Sequence, residues 1–296
     1  MATARRPPRR ETPPRSSEAT RNARAQRERP RRGSDLLARI AIGVPLAVLA
    51  IGFDDVGGTV WTIAMIVLGL ACLTELYRML ERWKPVSLVG YAALVGMCLA
   101  ARFGNHRDVL EVAMVVVPVL FLAIAARHQR TGATISIAGT LLGVYWLAFA
   151  FAHAVLLRQL PNGSGILIDV MLGTFLGDTG AYLGGRLFGR RPLAPAISPK
   201  KTVEGLFCGM LVAILAVFVA GLYQPWLTRA DALWLGLAVA VLGPLGDLFE
   251  SLVKRDAGAK DAGHLFGAHG GALDRLDAIS FTVVAAYYLW LILPHG

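Results

Sequence analysis

The sequence predicts an all-α fold, a polytopic transmembrane helical bundle of about nine helices, and three observations carry the prediction. A 296-residue chain that is 55% hydrophobic and 17% charged, with a mean hydropathy of +0.54, is too apolar for an ordinary soluble domain. Apolar stretches of bilayer-crossing length, about 20 residues each, recur along it. The basic residues between those stretches fall almost entirely on one side, as the positive-inside rule requires.

The first element is a tail. Residues 1–34 hold eleven Arg against three Glu and so supply +8 of the net charge of +10. Rich in Arg, Pro, Ser and Thr, this segment has too little apolar surface to offset its ordering entropy, so a disordered cytoplasmic tail is expected. It is not a secretory signal, because it lacks a short apolar stretch and a small-residue cleavage site. Attraction to anionic lipid accounts for its charge. A nucleic-acid polymer is not an expected partner, since no aromatic residues are interleaved with the arginines.

Spans follow at 36–53, 57–76, 86–102, 109–126, 135–157, 165–188, 204–223, 231–253 and 276–293. They divide into N-terminal transmembrane helices over 35–160 and a C-terminal transmembrane catalytic region over 161–296. Alternating strand patterning is absent, so helices and not a barrel are expected to satisfy the backbone. Cys72, Cys98 and Cys208 fall inside spans and read as buried small hydrophobes, without metal or disulfide spacing. With the tail cytoplasmic and nine helices alternating, the cytoplasmic side receives 26 of the 30 basic residues. Arg102, Arg107, Arg158 and Arg229 are left on the other side.

Both long cytoplasmic connections carry polar motifs. Asp178, in the run Gly177–Arg186, lies in an apolar span, where an ionisable group is expensive and marks function by default. The glycines at 173, 177, 180 and 184 are explained by close helix packing. Ser198 with Pro199 resembles a helix N-cap followed by proline at the first helical position. Lys200, Lys201 and Thr202 would then sit at a helix start and form a phosphate site, although anchoring at the cytoplasmic surface also accounts for the lysines.

The eighth span ends with Asp247, Glu250 or Ser251, and Lys254 at helical spacing, so one of its faces is polar and must meet a partner helix or a wet cavity. Pro244 beside Gly243 and Gly246 could kink it there. The next connection, 256–277, is glycine-rich, which lets backbone amides approach phosphate oxygens. Asp274 and Asp277 stand one turn apart at the start of the last helix and suit Mg²⁺, while Lys254, Arg255, Lys260 and Arg275 supply counter-charge for a polyphosphate. His264 and His269 are candidates for ligands, acid–base groups, nucleotide contacts or structural roles. Acids for a metal, cations for phosphates and a glycine loop at a bilayer surface point to phosphoryl or nucleotidyl transfer on a lipid. The P-loop and nucleophile-elbow motifs are absent.

The stretch 251–277 resembles the signature of bacterial phosphatidate cytidylyltransferases, the CDP-diacylglycerol synthases. Ser251, Lys254, Arg255, Lys260, Asp261, Gly263, Phe266, Gly267, His269, Gly270, Gly271, Asp274, Arg275 and Asp277 stand at the family's spacing. The 177–186 and 198–205 motifs resemble the family's in the same order, so the resemblance covers roughly 165–293. The chain departs from the pattern at Gly267 and Ala268, where Pro-Gly is common, and at Val203, where tryptophan is common.

The resemblance implies that CTP and phosphatidic acid give CDP-diacylglycerol and pyrophosphate with Mg²⁺ at the cytoplasmic face of the cell membrane. Asp247, Asp274 and Asp277 would hold the metal, with Asp261 a further candidate. Lys200, Lys201, Lys254 and Arg275 would bind phosphates. Asp178, Ser198, Thr202, Ser251, Arg255, Lys260, His264, His269, Gly270 and Gly271 complete the expected substrate site. A homodimer is compatible with the family and with the glycine-lined helices. A related CTP-using enzyme acting on another lipid, such as a polyprenol kinase or an archaeol-type cytidylyltransferase, shares this chemistry. A transporter is the rival from a different class, disfavoured by the His-Gly-Gly loop and by the lack of an inverted repeat.

Overall fold

Backbone groups in hydrocarbon can be satisfied only within the chain, and the computed structural model meets this demand with helices joined by short connections. It describes residues 52, 57–127, 131–263 and 270–293, all within the unit Ala50–Gly296. The Arg-rich tail and, but for Gly52, the first expected span lie outside the described residues.

The helices are α1 (Gly58–Met79), α2 (Ser87–Phe103), α3 (His106–Ala126), α4 (Ala133–Gln159), α5 (Gly163–Phe188), α6 (Val203–Gly221), α7 (Arg229–Ala257) and α8 (Leu273–Ile292). Seven of them are long and apolar enough to cross a membrane. The exception is α2, which has 17 residues. Each of the eight coincides with an expected span.

Local chemistry sets several of the helix ends. Asn105 accepts the Arg107 N–H at 2.8 Å while Asp108 accepts the Asn105 N–H at 2.7 Å, a reciprocal cap that starts α3. Thr228 accepts the Asp231 N–H to start α7, and Gly258, at φ 74°, ends that helix in the left-handed region. Pro244 lies inside α7, which nevertheless runs as one helix for 29 residues. A π turn at Val144–Ala148 interrupts α4 and aims Trp146 inward, where its indole N–H donates to Ser280 of α8 at 2.9 Å.

The connection between α5 and α6 corrects one expectation. Ser198 and Pro199 do not begin a helix. Ser198–Thr202 is a strand, β2, paired antiparallel with β1 (Pro192–Ala194). The helix begins at Val203, and its cap is Thr202, whose hydroxyl accepts the Gly205 N–H at 3.1 Å. The hairpin explains the shift: its pairing brings the Arg191 carbonyl to the Val203 N–H, and Glu204 accepts the amides of Arg190 and Arg191. Lys200 and Lys201 therefore project from a strand and not from a helix N-terminus.

Glycines bring α5 and α6 together, as the sequence pattern implies. A Cβ at Gly180 would meet Val212 at 2.8 Å, and one at Gly209 would meet the Gly177 carbonyl and the Ala181 Cβ at 2.7 Å. Gly209→Val is therefore expected to destabilise the fold by about 1–3 kcal/mol through overpacking. A lowered unfolding temperature in detergent would show it.

Candidate active site

The site forms where the C-terminal turns of α7 meet the first turn of α8. Asp247, Glu250 and Lys254 share a face of α7, as their spacing predicts. Gly246 permits the approach: a Cβ there would stand 2.6 Å from the Asp277 carbonyl. Asp247, Glu250 and Asp277 each offer a carboxylate oxygen, and these atoms all lie within 4.8 Å of one another. Glu250 and Asp277 are buried, at 1% and 8% exposure.

Two lysines border this trio. Lys201, from β2, forms an ion pair with Asp247. Lys254 lies between Glu250, at 2.6 Å, and Asp274, at 2.7 Å. Asp178 of α5 lies within electrostatic reach of both Asp247 and Lys201, and Asp277 feels the charges of Glu250, Asp247 and Asp178. Five carboxylates thus converge on two ammonium groups among these contacts, and one buried Glu250 oxygen, Oε1, has no hydrogen-bond partner among the described residues. Uncompensated acids below the surface are strongly unfavourable. A divalent cation at Asp247, Glu250 and Asp277 fits the all-oxygen donor set and the orphaned oxygen.

The grouping differs from the expected one at a single ligand. Asp274 is drawn away by the Lys254 ammonium, the Ala262 N–H at 3.0 Å and the Gly271 N–H at 2.8 Å. Its carboxylate ties the glycine-rich connection to the start of α8, and Glu250 takes its place beside Asp247 and Asp277. Ser251 is buried next to Glu250. Arg275 follows Asp274 in the first turn of α8 and is half-buried.

The remaining expected residues lie around this centre. Lys200, Arg255, Lys260 and Asp261 are exposed, and Ser198 is half-buried in the hairpin. Arg255 donates to the Ile197 carbonyl at 3.2 Å and so binds the hairpin to the end of α7. Thr202 is engaged as the α6 cap. Asp261 stands outside the carboxylate trio. Gly270, at φ 87°, adopts a backbone conformation that favours glycine, and Gly271 presents its amide to Asp274. His264 and His269 lie outside the described residues.

Sequence reasoning missed Glu75, a buried acid in α1 that reaches this region and accepts the Leu273 N–H. Its signal was the one that identified Asp178, a lone carboxylate in an apolar span.

The Lys254 bridge has a measurable consequence. Lys254→Met leaves Glu250 and Asp274 facing each other, and a loss of about 3 kcal/mol or more is expected. Thermal unfolding in detergent measures it. Arg82→Ala, which breaks an exposed pair with Asp256, is expected to cost less than about 1 kcal/mol.

Comparison with known proteins identifies the family. The profile of the cytidylyltransferase family matches residues 37–293. The chain is 33% identical to the phosphatidate cytidylyltransferase of Mycobacterium bovis, over 90% of this chain and 92% of that protein. It is 30% identical to the Bacillus subtilis protein of that name, over 86% of this chain and 97% of the relative. An uncharacterized Escherichia coli protein, YnbB, is 35% identical over 57% of this chain and 59% of its own length. By its sequence match across nearly the whole membrane-embedded chain, this protein belongs to the cytidylyltransferase family.

Proposed function

We propose that this protein transfers the cytidylyl group of CTP to phosphatidic acid, giving CDP-diacylglycerol and pyrophosphate for phospholipid synthesis. The observation that carries this reading is the trio Asp247, Glu250 and Asp277, bordered by Lys201 and Lys254 at one end of a membrane-spanning bundle. The names of the relatives specify the substrates.

An oxygen of the phosphatidate phosphate attacks the α-phosphorus of CTP. The bond from that phosphorus to the bridging oxygen breaks, and its electron pair leaves with pyrophosphate. Because the nucleophile is already an anion, no side chain has to remove a proton from it. Catalysis then rests on orientation and charge stabilisation. Mg²⁺ held by Asp247, Glu250 and Asp277 would supply Lewis-acid neutralisation of phosphate oxygens. Lys201 is placed to exchange its carboxylate partner for substrate phosphate. Lys200, Lys260 and Arg255 form an exposed basic rim that attracts the triphosphate. Arg275 and the Gly270 amide would meet phosphate oxygens, and Lys254 holds Glu250 and Asp274 in place. Asp178 lies near both Lys201 and Asp247 and belongs to the same substrate site.

The excess of Lys and Arg on the side that holds these motifs supports a cytoplasmic site in the cell membrane, where CTP is available. A homodimer through the glycine-lined helices belongs to the same proposal.

The test is incorporation of CMP from labelled CTP into lipid by purified protein in mixed micelles with phosphatidic acid. Product mass spectrometry should identify CDP-diacylglycerol. Chelation should abolish turnover and Mg²⁺ restore it, and Asp277→Asn should lower the rate by about 100-fold or more. Undiminished activity in that variant would sink the metal assignment.

A further inference from the structure

Glu75 lies in α1, far from the signature in sequence, and is 7% exposed. A carboxylate at that depth is costly unless it is hydrogen-bonded. Its Oε2 accepts the Leu273 N–H at 2.9 Å, across 198 residues of chain. Leu273 is the first residue of α8, and that helix has no side-chain cap of its own, since Ala272 occupies the cap position. Glu75 therefore satisfies one of the orphan amides of α8 from another element and places negative charge at the positive end of its dipole.

The same carboxylate is the surface on which two signature glycines rest. A Cβ at Gly263 or at Gly271 would stand 2.5 Å from the Glu75 carboxyl carbon. Asp274 holds the neighbouring amides of Ala262 and Gly271 from the other side. One turn further along α8, Asp277 enters the trio with Asp247 and Glu250. The start of α8 thus fixes how far Asp277 projects toward α7, and Glu75 fixes the start of α8.

We infer that Glu75 is a positioning residue of the cytidylyltransferase site: as a hydrogen-bond acceptor, it seats Gly263, Gly271 and the first turn of α8 so that Asp277 meets Asp247 and Glu250. The inference rests on the function proposed above for its activity readout, but not for its structural one. It separates the acceptor role from a role for the charge, because glutamine keeps one acceptor oxygen at the same reach while it loses the charge and turns the other oxygen into an NH2 donor.

Glu75→Gln, Glu75→Ala, Gly271→Ala and the double variant Glu75→Ala/Gly271→Ala would be compared with the wild type in detergent micelles. Steady-state kinetics with CTP and hydrogen exchange of a peptide covering 270–276 are the two readouts. Glu75→Ala should lower kcat/KM by roughly 10- to 100-fold and speed exchange at the Leu273 amide, since small misplacement of reacting groups costs factors of that size. Glu75→Gln should stay within about threefold of wild type, with its exchange protected. Gly271→Ala should be impaired alone, and adding Glu75→Ala should cost little more, because the obstructing carboxylate is gone. Glu75→Gln as inactive as Glu75→Ala would overturn the acceptor role, as would a Glu75→Ala protein matching wild type in both readouts. If Glu75→Ala does not accumulate, Glu75→Gln decides alone: near-wild-type kinetics support the inference and a loss beyond tenfold rejects it. A wild-type protein that transfers no CMP would refute the functional reading, and the exchange measurement would still test the contact.

Discussion

Charge below a membrane surface has to be answered by charge or by hydrogen bonds, and the C-terminal half of this protein is organised around that demand. Lys254 answers two carboxylates at once, Glu250 on its own helix and Asp274 on the next. That bridge joins α7 to α8 at the level where the glycine-rich connection leaves the bundle. Asp274 spends its remaining capacity on the Ala262 and Gly271 amides, so the same bridge also holds both arms of the connection. Beside it Asp247, Glu250 and Asp277 bring carboxylate oxygens within 4.8 Å of one another, and the Glu250 Oε1 atom has no hydrogen-bond partner among the described residues.

Close backbone approach makes this possible. Gly246 lets α8 come near enough to α7 for Asp277 to face Asp247, and Gly177, Gly180 and Gly209 let α5 and α6 pack without intervening side chains. Since α6 begins where the hairpin ends, that packing also sets the position of Lys201 beside Asp247. Lipid contributes no hydrophobic force between helices, so small residues and buried polar contacts carry the specificity of association. Arg82, just beyond α1, donates to the Asp256 carbonyl and carboxylate at the end of α7, a second tie between the N-terminal helices and the catalytic segment.

Much of this was legible in one dimension because the bilayer imposes a length and a polarity on each element. Eight helices fall on eight expected spans, and the stripe from Asp247 to Lys254 faces a partner as its spacing required. Where local chemistry offered two solutions, it misled. Ser198-Pro199 and Thr202 are both competent helix starts, and the choice went to Thr202 because a hairpin paired the intervening backbone. Asp274 and Asp277, one turn apart, both looked fit for a metal, yet only one is free of a lysine and two amides.

By itself, then, the sequence determined a helical membrane protein, the apolar stretches that form its described helices and the chemical class of its polar motifs. Those properties follow from composition and period, which need no knowledge of neighbours. The tertiary structure decided which carboxylates share a site and which are consumed by hydrogen bonds, and it brought Glu75 to α8. These outcomes depend on which helices touch, a matter of shape and long-range pairing that residue spacing does not encode. The replacement of Asp274 by Glu250 beside Asp247 and Asp277 is that dependence in its plainest form.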